Sequence, residues 1–288
     1  MLDYHALKQW AFPEKTQAYS ERDTMLYALG AGYGTDPLDE RELRFVYEKQ
    51  LLAVPTMAAV LCHPGPWMRE STLGLDWLKV VHAEQRMTFH APIPTVATAG
   101  AKIRNTGVVD KGPGKGALIR QEKQVVDQAS GTLLATIESS YFARGDGGFS
   151  ERTGVSDASP PAPLALPKTP PEEFCDLPTL PQTPLIYRLS GDYMPIHADP
   201  EAARNAGFPR PILHGLCTYA IAGHAILKRC CDCDPSRLAS LYARFSAPAF
   251  PGETIRTEMW RRGNALQFRA RVLERDSVVL SHGTAEVS

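Results

Sequence analysis

The chain has 288 residues, 43% of them hydrophobic, and a formal net charge of -1. This length allows two domains with a core each, and the balanced charge argues against nucleic-acid or anionic-membrane binding, which usually needs an excess of basic residues. No apolar run approaches the roughly 20 residues that span a bilayer. We therefore expect no nucleic-acid or membrane partner. We also expect a cytoplasmic location, since the last residues, Ala285 to Ser288, form no Ser-Lys-Leu peroxisomal signal.

Residues 1–144 are predicted to form the first of two similar units. Within them, the apolar segment from Val54 to Leu61 predicts a helix. The sequence Phe89-His90-Ala91-Pro92 follows, and later residues alternate between apolar and polar, as half-buried antiparallel strands do. A long helix followed by antiparallel strands is an α+β pattern.

A glycine-rich segment, Asp110-Lys111-Gly112-Pro113-Gly114-Lys115-Gly116, lies within this unit. Its glycines, proline and aspartate are ordinary turn residues, so a hairpin turn between strands is one interpretation. Its two ammonium groups on a flexible turn would also suit the phosphates of a ligand. Composition alone favours the hairpin turn.

Residues 145–184 are rich in glycine, serine, proline and acidic residues, with Pro-Pro pairs at 160–161 and 170–171. Such a composition buries little apolar surface, and its prolines favour extended backbone. We predict a linker that lies over the protein surface. Residues 185–288 then form the second unit.

The second unit opens with Tyr187-Arg188-Leu189-Ser190-Gly191-Asp192-Tyr193-Met194-Pro195-Ile196-His197, in which glycine and proline predict a loop. Asp192 and His197 lie five residues apart on it, so a carboxylate and an imidazole can converge on one water molecule. Leu213-His214-Gly215 follows and precedes an apolar helix predicted over Leu216–Leu227. Because the first turn of a helix has N–H groups without intrahelical acceptors, the glycine amide is a candidate donor to a developing negative charge.

The second unit repeats the order of the first. Phe245-Ser246-Ala247-Pro248 corresponds to Phe89-His90-Ala91-Pro92, and strand-like alternation follows both. The first unit has neither an aspartate and a histidine at the five-residue spacing nor a His-Gly pair before its helix. We therefore expect the chemistry in the second unit, and a structural role for His214.

Three of the six cysteines, Cys230, Cys231 and Cys233, lie close together and include one C-x-x-C spacing. A structural zinc site needs four ligands, and the chain offers no second pair and no histidine nearby at ligand spacing. We predict a surface turn after a helix and no metal site.

The loop from Tyr187 to His197 resembles the signature Y-x-x-S-G-D-x-N-P-x-H of the (R)-specific enoyl-CoA hydratases, or hydratase 2, in the MaoC-like dehydratase family. The resemblance extends over most of the chain apart from the linker. The other segments that carry it are Phe45-Val46-Tyr47-Glu48, Val81-His82-Ala83-Glu84-Gln85, Asp110-Lys111-Gly112, Arg244-Phe245-Ser246-Ala247-Pro248 and Phe250-Pro251-Gly252-Glu253-Thr254.

This resemblance implies a double hot-dog fold, in which each of two repeats wraps an antiparallel sheet around a long central helix. It implies reversible syn addition of water to trans-2-enoyl-CoA to give (3R)-3-hydroxyacyl-CoA, with coenzyme A as part of the substrate and no metal or other cofactor. It also implies an acyl-binding first unit and a homodimer. The implied catalytic residues are Asp192, His197 and Gly215, and the implied substrate-binding residues are His82, Ala83, Lys111, Tyr193, Met194, Pro195, Ile196 and Phe245.

Two positions depart from the family pattern. Met194 replaces the asparagine of the signature, and Ala83 stands where glycine is common. A thioether is a weak acceptor and cannot donate, so one positioning hydrogen bond is lost. Three interpretations stay open: a slower hydratase, a dehydratase for branched or dicarboxylic acyl-CoA, and a non-catalytic protein that binds acyl-CoA.

Overall fold

The structure is a computed structural model that describes residues 2–288. Ten strands within these residues pair in antiparallel fashion in one sheet. The strands are β1 (Lys15–Tyr19), β2 (Val80–Phe89), β3 (Ala97–Asp110), β4 (Ala117–Asp127), β5 (Leu133–Ala143), β6 (Glu173–Pro178), β7 (Leu238–Phe245), β8 (Thr254–Arg262), β9 (Ala265–Val272) and β10 (Ser277–Val287). The helices are α1 (Tyr4–Lys8), α2 (Glu21–Gly30), α3 (Glu40–Leu43), α4 (Phe149–Thr153), α5 (Thr183–Tyr187), α6 (Pro200–Asn205) and α7 (Gly215–Cys230).

The strand order is β1-β3-β4-β5-β2-β7-β10-β9-β8-β6, which divides into two five-strand units of the same plan. The first unit contains β1 to β5 and the second contains β6 to β10, and β2 pairs with β7 at their junction. Phe89 ends β2 and Phe245 ends β7, so the repeat predicted from these segments is confirmed. Two similar units in one antiparallel sheet give the α+β architecture that the sequence predicts.

The second unit wraps its sheet around α7. Every residue from Cys217 to Leu227 is buried, and the core around the helix includes Leu241 and Phe268 of the sheet. A helix that is apolar on all sides belongs in a core, so the buried helix predicted over Leu216–Leu227 is confirmed. Neither α7 nor any other helix within residues 2–288 is long and apolar enough to cross a membrane.

Among the described residues, the first unit has no counterpart of α7. Where the sequence predicts a helix, over Val54–Leu61, the structure has a short 3-10 helix, Pro55–Ala59. The Lys123 ammonium group, on β4, donates to carbonyl groups that would accept main-chain hydrogen bonds in a continuing helix. It donates at 3.2, 2.8 and 2.7 Å to the carbonyls of Ala58, Ala59 and Leu61. The expectation of a long central helix in the first repeat is therefore wrong.

Replacing Lys123 with Met is expected to lower the free energy of unfolding by about 2–4 kcal/mol. The variant leaves three buried carbonyl groups without a donor, and removal of the buried ammonium offsets only part of that cost. Urea unfolding checks this, with Lys102→Met at an exposed position of β3 as the control. If the Lys123 variant unfolded at the same urea concentration as the wild type, Lys123 would not hold this turn.

The segment 145–184, predicted as a linker, contains α4 and β6. Cys175 of β6 lies opposite Thr257 of β8, so the end of this segment is part of the sheet of the second unit. Its preceding residues run irregularly along the protein, where the Trp260 indole N–H donates to the Thr169 carbonyl at 2.9 Å. The segment therefore combines an irregular stretch with the edge strand of the second unit.

The turn after α7 differs from its prediction as a surface turn. Cys231 and Cys233 are 0% and 1% exposed, and burial raises the pKa of both thiols. The chain folds back onto the helix here, because the Cys233 N–H donates to the Leu227 carbonyl at 2.9 Å. The cysteines consequently face the core.

Candidate active site

The Asp192 side chain lies on a loop between two short 3-10 helices, Arg188–Ser190 and Pro195–His197. Gly191 enters this loop with φ 128°, a conformation that residues with a Cβ rarely adopt. Asp192 Oδ1 accepts a hydrogen bond from the Met194 main-chain N–H at 3.1 Å. This bond sets the direction of the carboxylate, which is partly open to solvent.

His197 is held in one tautomer. Its ring is buried, and Nδ1 lies 2.9 Å from the Ile212 carbonyl oxygen. A carbonyl can only accept, so Nδ1 carries the hydrogen and Nε2 keeps a lone pair. Burial lowers the pKa of His197, although the Ile212 carbonyl and the Asp192 charge act in the opposite direction. The neutral imidazole therefore offers Nε2 as a base.

His214 packs against both Asp192 and His197, the dyad of this site. Its ring stacks on that of His197, with centroids 3.7 Å apart and 24° between the planes. His214 Nε2 donates to the Asp192 main-chain carbonyl at 3.1 Å. Burial and the His197 charge lower the pKa of His214, which keeps it neutral. His214 thus contacts the His197 ring and the Asp192 main chain, and its structural role stays a prediction.

The side chains of Asp192, His197 and His214 place ligand atoms within 4.8 Å of one another, as a metal site would require. His214 Nε2, however, carries a hydrogen that it donates to the Asp192 main-chain carbonyl, so this nitrogen has no lone pair to offer an ion. The donor set fits a water molecule better than a divalent ion. That no metal is needed stays a prediction.

The helix α7 begins at Gly215, beside this cluster. Thr218 donates the first intrahelical hydrogen bond, to the His214 carbonyl at 3.1 Å. The Gly215 amide is left to donate outward at the positive end of the helix dipole. A Cβ at Gly215 would lie 3.2 Å from the Phe245 ring, so the glycine permits close packing of that ring. The predicted catalytic residues thus meet at the amino end of α7.

Two of the predicted substrate-binding residues lie at an irregularity of β2. His82 and Glu84 pair with successive residues of β5, so Ala83 forms a bulge, a feature often found beside active sites. The His82 ring packs against Phe245, with centroids 4.8 Å apart. Burial lowers the pKa of His82 to about 4, and the Asp192 charge acts against that change. His82 lies near the amino end of α7, because it packs against the Phe245 ring that lies beside Gly215.

The remaining residues predicted from the loop form its outer surface. Tyr193 and Met194 are 57% and 44% exposed, and Pro195 is also exposed. Ile196 is partly buried, and its carbonyl accepts from the Ile212 N–H at 3.3 Å. The Met194 main chain holds the Asp192 carboxylate, while its side chain is exposed.

Lys111 lies in the turn between β3 and β4. Asp110 organises this turn, since its carboxylate accepts from three main-chain N–H groups at 2.7 to 2.8 Å. Burial alone would raise the pKa of Asp110, but these hydrogen bonds lower it to about 2. Lys111 Nζ donates to Ser159 Oγ at 2.9 Å, on the exposed surface. Its contact with the phosphates of coenzyme A stays a prediction.

His63 is a further side chain of this site, to which the sequence assigned no role. The Asp192 charge acts on its pKa, and the His63 charge acts on the pKa of His82. The backbones also meet here, because a Cβ at Gly191 would lie 3.8 Å from the Val60 carbonyl. The first unit therefore contributes the residues after its short 3-10 helix to the cleft in front of Asp192.

Two family models match the chain, one in each unit. The MFE-2 hydratase 2 N-terminal domain matches residues 17–145, and the MaoC like domain matches residues 164–282. The peroxisomal enoyl-CoA hydratase 2 of Arabidopsis thaliana is 38% identical over 286 residues, which cover 93% of this chain and 90% of that protein. The chain belongs to the MaoC-like hydratase 2 family. The resemblance predicted from the loop signature is thereby confirmed.

Solved structures similar to this hydratase 2 family member share its fold. A MaoC-like dehydratase from Phytophthora capsici has a TM-score of 0.85 at 30% identity, over 100% of this chain and 99% of that chain. A Mycobacterium tuberculosis protein with a double hot-dog fold has a TM-score of 0.58 at 16% identity, over 96% and 94%, a likeness of fold alone. The predicted α+β double hot-dog fold is confirmed, with the helix of its first repeat reduced to a short turn.

Proposed function

We propose that this hydratase 2 family member adds water to trans-2-enoyl-CoA and forms (3R)-3-hydroxyacyl-CoA by reversible syn addition. The observation that carries the proposal is the cluster of the Asp192, His197 and His214 side chains, which lies directly before Gly215 at the amino end of α7. The name of the Arabidopsis relative, an enoyl-CoA hydratase 2, supports it. Coenzyme A is then part of the substrate.

Hydration of an enoyl thioester needs a base for water, an acid for C2 and a donor for the thioester oxygen. A water molecule between Asp192 and His197 Nε2 would be held next to C3. As its oxygen bonds to C3, the dyad takes one proton from it and returns one proton to C2 on the same face. The dyad ends in its initial protonation state, so the same groups also serve the reverse reaction.

The thioester oxygen gains negative charge before C2 is protonated. The Gly215 amide would donate to this oxygen, and the aligned peptide dipoles of α7 add to the stabilisation. The Phe245 ring lies beside Gly215 and the His82 ring packs against Phe245, so both rings would flank the thioester. The polarisation needed for attack at C3 comes from the helix terminus, so we propose that neither a metal nor a redox cofactor takes part.

Met194 does not require a loss of activity. The hydrogen bond that fixes Asp192 comes from the Met194 main chain and is therefore independent of its side chain. This observation favours an enzyme over a non-catalytic acyl-CoA-binding protein. A dehydratase for branched or dicarboxylic acyl-CoA would use the same dyad, and substrate screening separates the two.

The dependence of kcat/KM on pH is expected to show no acid limb centred above pH 6.5. His197 must be neutral to accept a proton from water, and burial holds its pKa below the usual 6.5. Activity is therefore present at neutral pH and is lost only as the pH falls through the lowered pKa. Initial rates across the acid and neutral range check this, and an acid limb centred above 6.5 would show that a different group controls the reaction.

The proposal is tested with trans-2-enoyl-CoA esters of graded chain length, by the loss of enoyl-thioester absorbance and by chiral analysis of the product. A (3R)-hydroxyacyl-CoA product supports it. A (3S) product would contradict the stereochemistry, and binding of every ester without turnover would favour the acyl-CoA-binding protein.

Further expectations belong to this proposal. We propose that the first unit holds the acyl chain and that Lys111 contacts the coenzyme A phosphates. The strands β1 and β6 form the outer edges of the sheet, and open edges favour pairing with a second copy, which supports a homodimer. A cytoplasmic location stays a prediction, and the Arabidopsis relative is peroxisomal.

A further inference from the structure

The backbone takes an unfavourable turn just after the short 3-10 helix Pro55–Ala59. Cys62 has φ 51°, a left-handed conformation that residues other than glycine seldom adopt. Two contacts hold it there: the Gln17 side-chain oxygen accepts from the Cys62 N–H at 2.8 Å, and Cys62 Sγ lies 3.4 Å from the Ala99 carbonyl. Backbone strain maintained by specific contacts is common at functional sites. The residue that this turn positions is His63.

His63 presents a single, fixed donor to the cleft. The Gly65 N–H donates to His63 Nδ1 at 3.1 Å, so the hydrogen of the neutral ring lies on Nε2. Among residues 2–288, Nε2 has no hydrogen-bond partner. His63 is exposed to solvent, and the partial desolvation of its ring together with the Lys123 charge lowers the pKa of His63. The ring is therefore neutral near pH 7 and offers one N–H group.

Two ammonium groups add positive potential at the same place. Lys15 Nζ donates to the His63 carbonyl at 2.8 Å, and Lys123 Nζ holds the Leu61 carbonyl two residues earlier. Both charges disfavour protonation of His63. The Asp192 charge acts on the pKa of His63 in the opposite direction. A neutral N–H donor beside two cations favours an oxygen acceptor, and a carboxylate most of all.

The order of groups along the cleft relates His63 to the acyl chain. The thioester oxygen is assigned to the Gly215 amide, and C3 to the water between Asp192 and His197. Carbons beyond C3 would continue past Asp192 toward the first unit. Val60, three residues before His63, lies there, since its carbonyl oxygen is 3.8 Å from a Cβ built at Gly191.

We propose that His63 is a specificity-determining residue, whose Nε2–H donates a hydrogen bond to an oxygen atom carried by the acyl chain beyond C3. The favoured substrates would be 2-enoyl-CoA thioesters with a carboxylate, carbonyl or hydroxyl group on that part of the chain. This inference rests on the proposed function.

The test compares trans-2-enoyl-CoA esters of graded chain length with the matching esters that carry a terminal carboxylate. The readout is the ratio of kcat/KM for the carboxylated ester to that for its unsubstituted partner. At the length that reaches His63, the wild type is expected to favour the carboxylated ester by about tenfold, the effect of one good hydrogen bond. His63→Leu should bring the ratio close to one, and His63→Gln, which keeps an N–H donor, should restore part of it.

The control is His90→Leu, at an exposed histidine beyond the end of β2 that contacts Thr136, and it should keep the wild-type ratio. A wild-type ratio near one at every length would overturn the inference. So would an unchanged ratio in His63→Leu, because a residue that contacts coenzyme A or only supports the fold lowers both rates alike. Failure of the wild type to hydrate any ester would instead count against the proposed function.

Discussion

Replacing Asp192 with Asn is expected to lower kcat for enoyl-CoA hydration by about 10³-fold, within the range seen when a general acid or base is removed. An amide does not ionise, so asparagine cannot take part in the proton transfers that Asp192 and His197 carry out together. Its oxygen can still accept the Met194 N–H, so the loop should keep its conformation. Steady-state rates with the best enoyl-CoA ester, together with circular dichroism and thermal unfolding, measure both effects.

The matched control for this variant is Asp199→Asn, seven residues further along the chain. Asp199 caps α6 by accepting from the Glu201 N–H at 2.8 Å, a role that asparagine also fills. The Asp199→Asn variant should retain wild-type activity. The double variant of Asp192→Asn with His197→Gln should be hardly slower than either single variant, because residues that act as one unit have non-additive effects. A fully active Asp192→Asn enzyme would refute the dyad.

Gly215→Pro is expected to lower kcat by about 10²- to 10³-fold, the cost of removing one oxyanion donor. Proline suits this position structurally, because it is favoured at the first residue of a helix, where the amide has no intrahelical acceptor. His214, which precedes it, has φ -59° and ψ 137°, an extended conformation compatible with a following proline. The substitution therefore removes the N–H group and leaves the helix in place.

The control is Gly215→Ala, which keeps the N–H group but adds the same Cβ as proline. That Cβ lies 3.2 Å from the Phe245 ring in both variants, so crowding affects them equally. The difference in kcat between the proline and alanine variants measures the donor itself. Equal activities would show that the Gly215 amide does not bind the thioester oxygen.

The proximity of Asp192, His197 and Gly215 could be predicted because these residues are close together in the sequence. Asp192 and His197 lie on one loop, and Gly215 starts the helix that follows, so residue type and spacing carry the information. The apolar character of α7 likewise predicts burial without knowledge of its neighbours. The alternation of apolar residues predicted the strands for the same reason.

The short turn of the first unit could not be predicted in the same way. Its apolar residues suit a buried helix and a buried turn equally, and the choice depends on Lys123, which is distant in sequence and inserts from the sheet. The prolines at positions 64 and 66 were a local signal, because proline seldom continues a helix. They limit the length of any helix that starts near Val54.

His214 and His63, two further histidines near the site, differ in how well the sequence predicts their positions. His214 precedes Gly215 directly, so a helix that starts at the reacting centre must bring it close. The position of His63 depends on the left-handed conformation of Cys62, which depends on contacts with Gln17 and the sheet. No spacing of residue types reveals such a contact.

The most direct test of the dyad is the stereochemistry of hydration in D₂O. One water molecule held by Asp192 and His197 would supply both the hydroxyl group at C3 and the proton at C2. The product then carries a single deuterium at C2 on the same face as the new hydroxyl group, and C3 has the R configuration. Nuclear magnetic resonance of the product, with chiral analysis at C3, reads both centres. Deuterium on the opposite face, or a mixture of both faces, would mean that water and proton arrive from different groups and would contradict the mechanism.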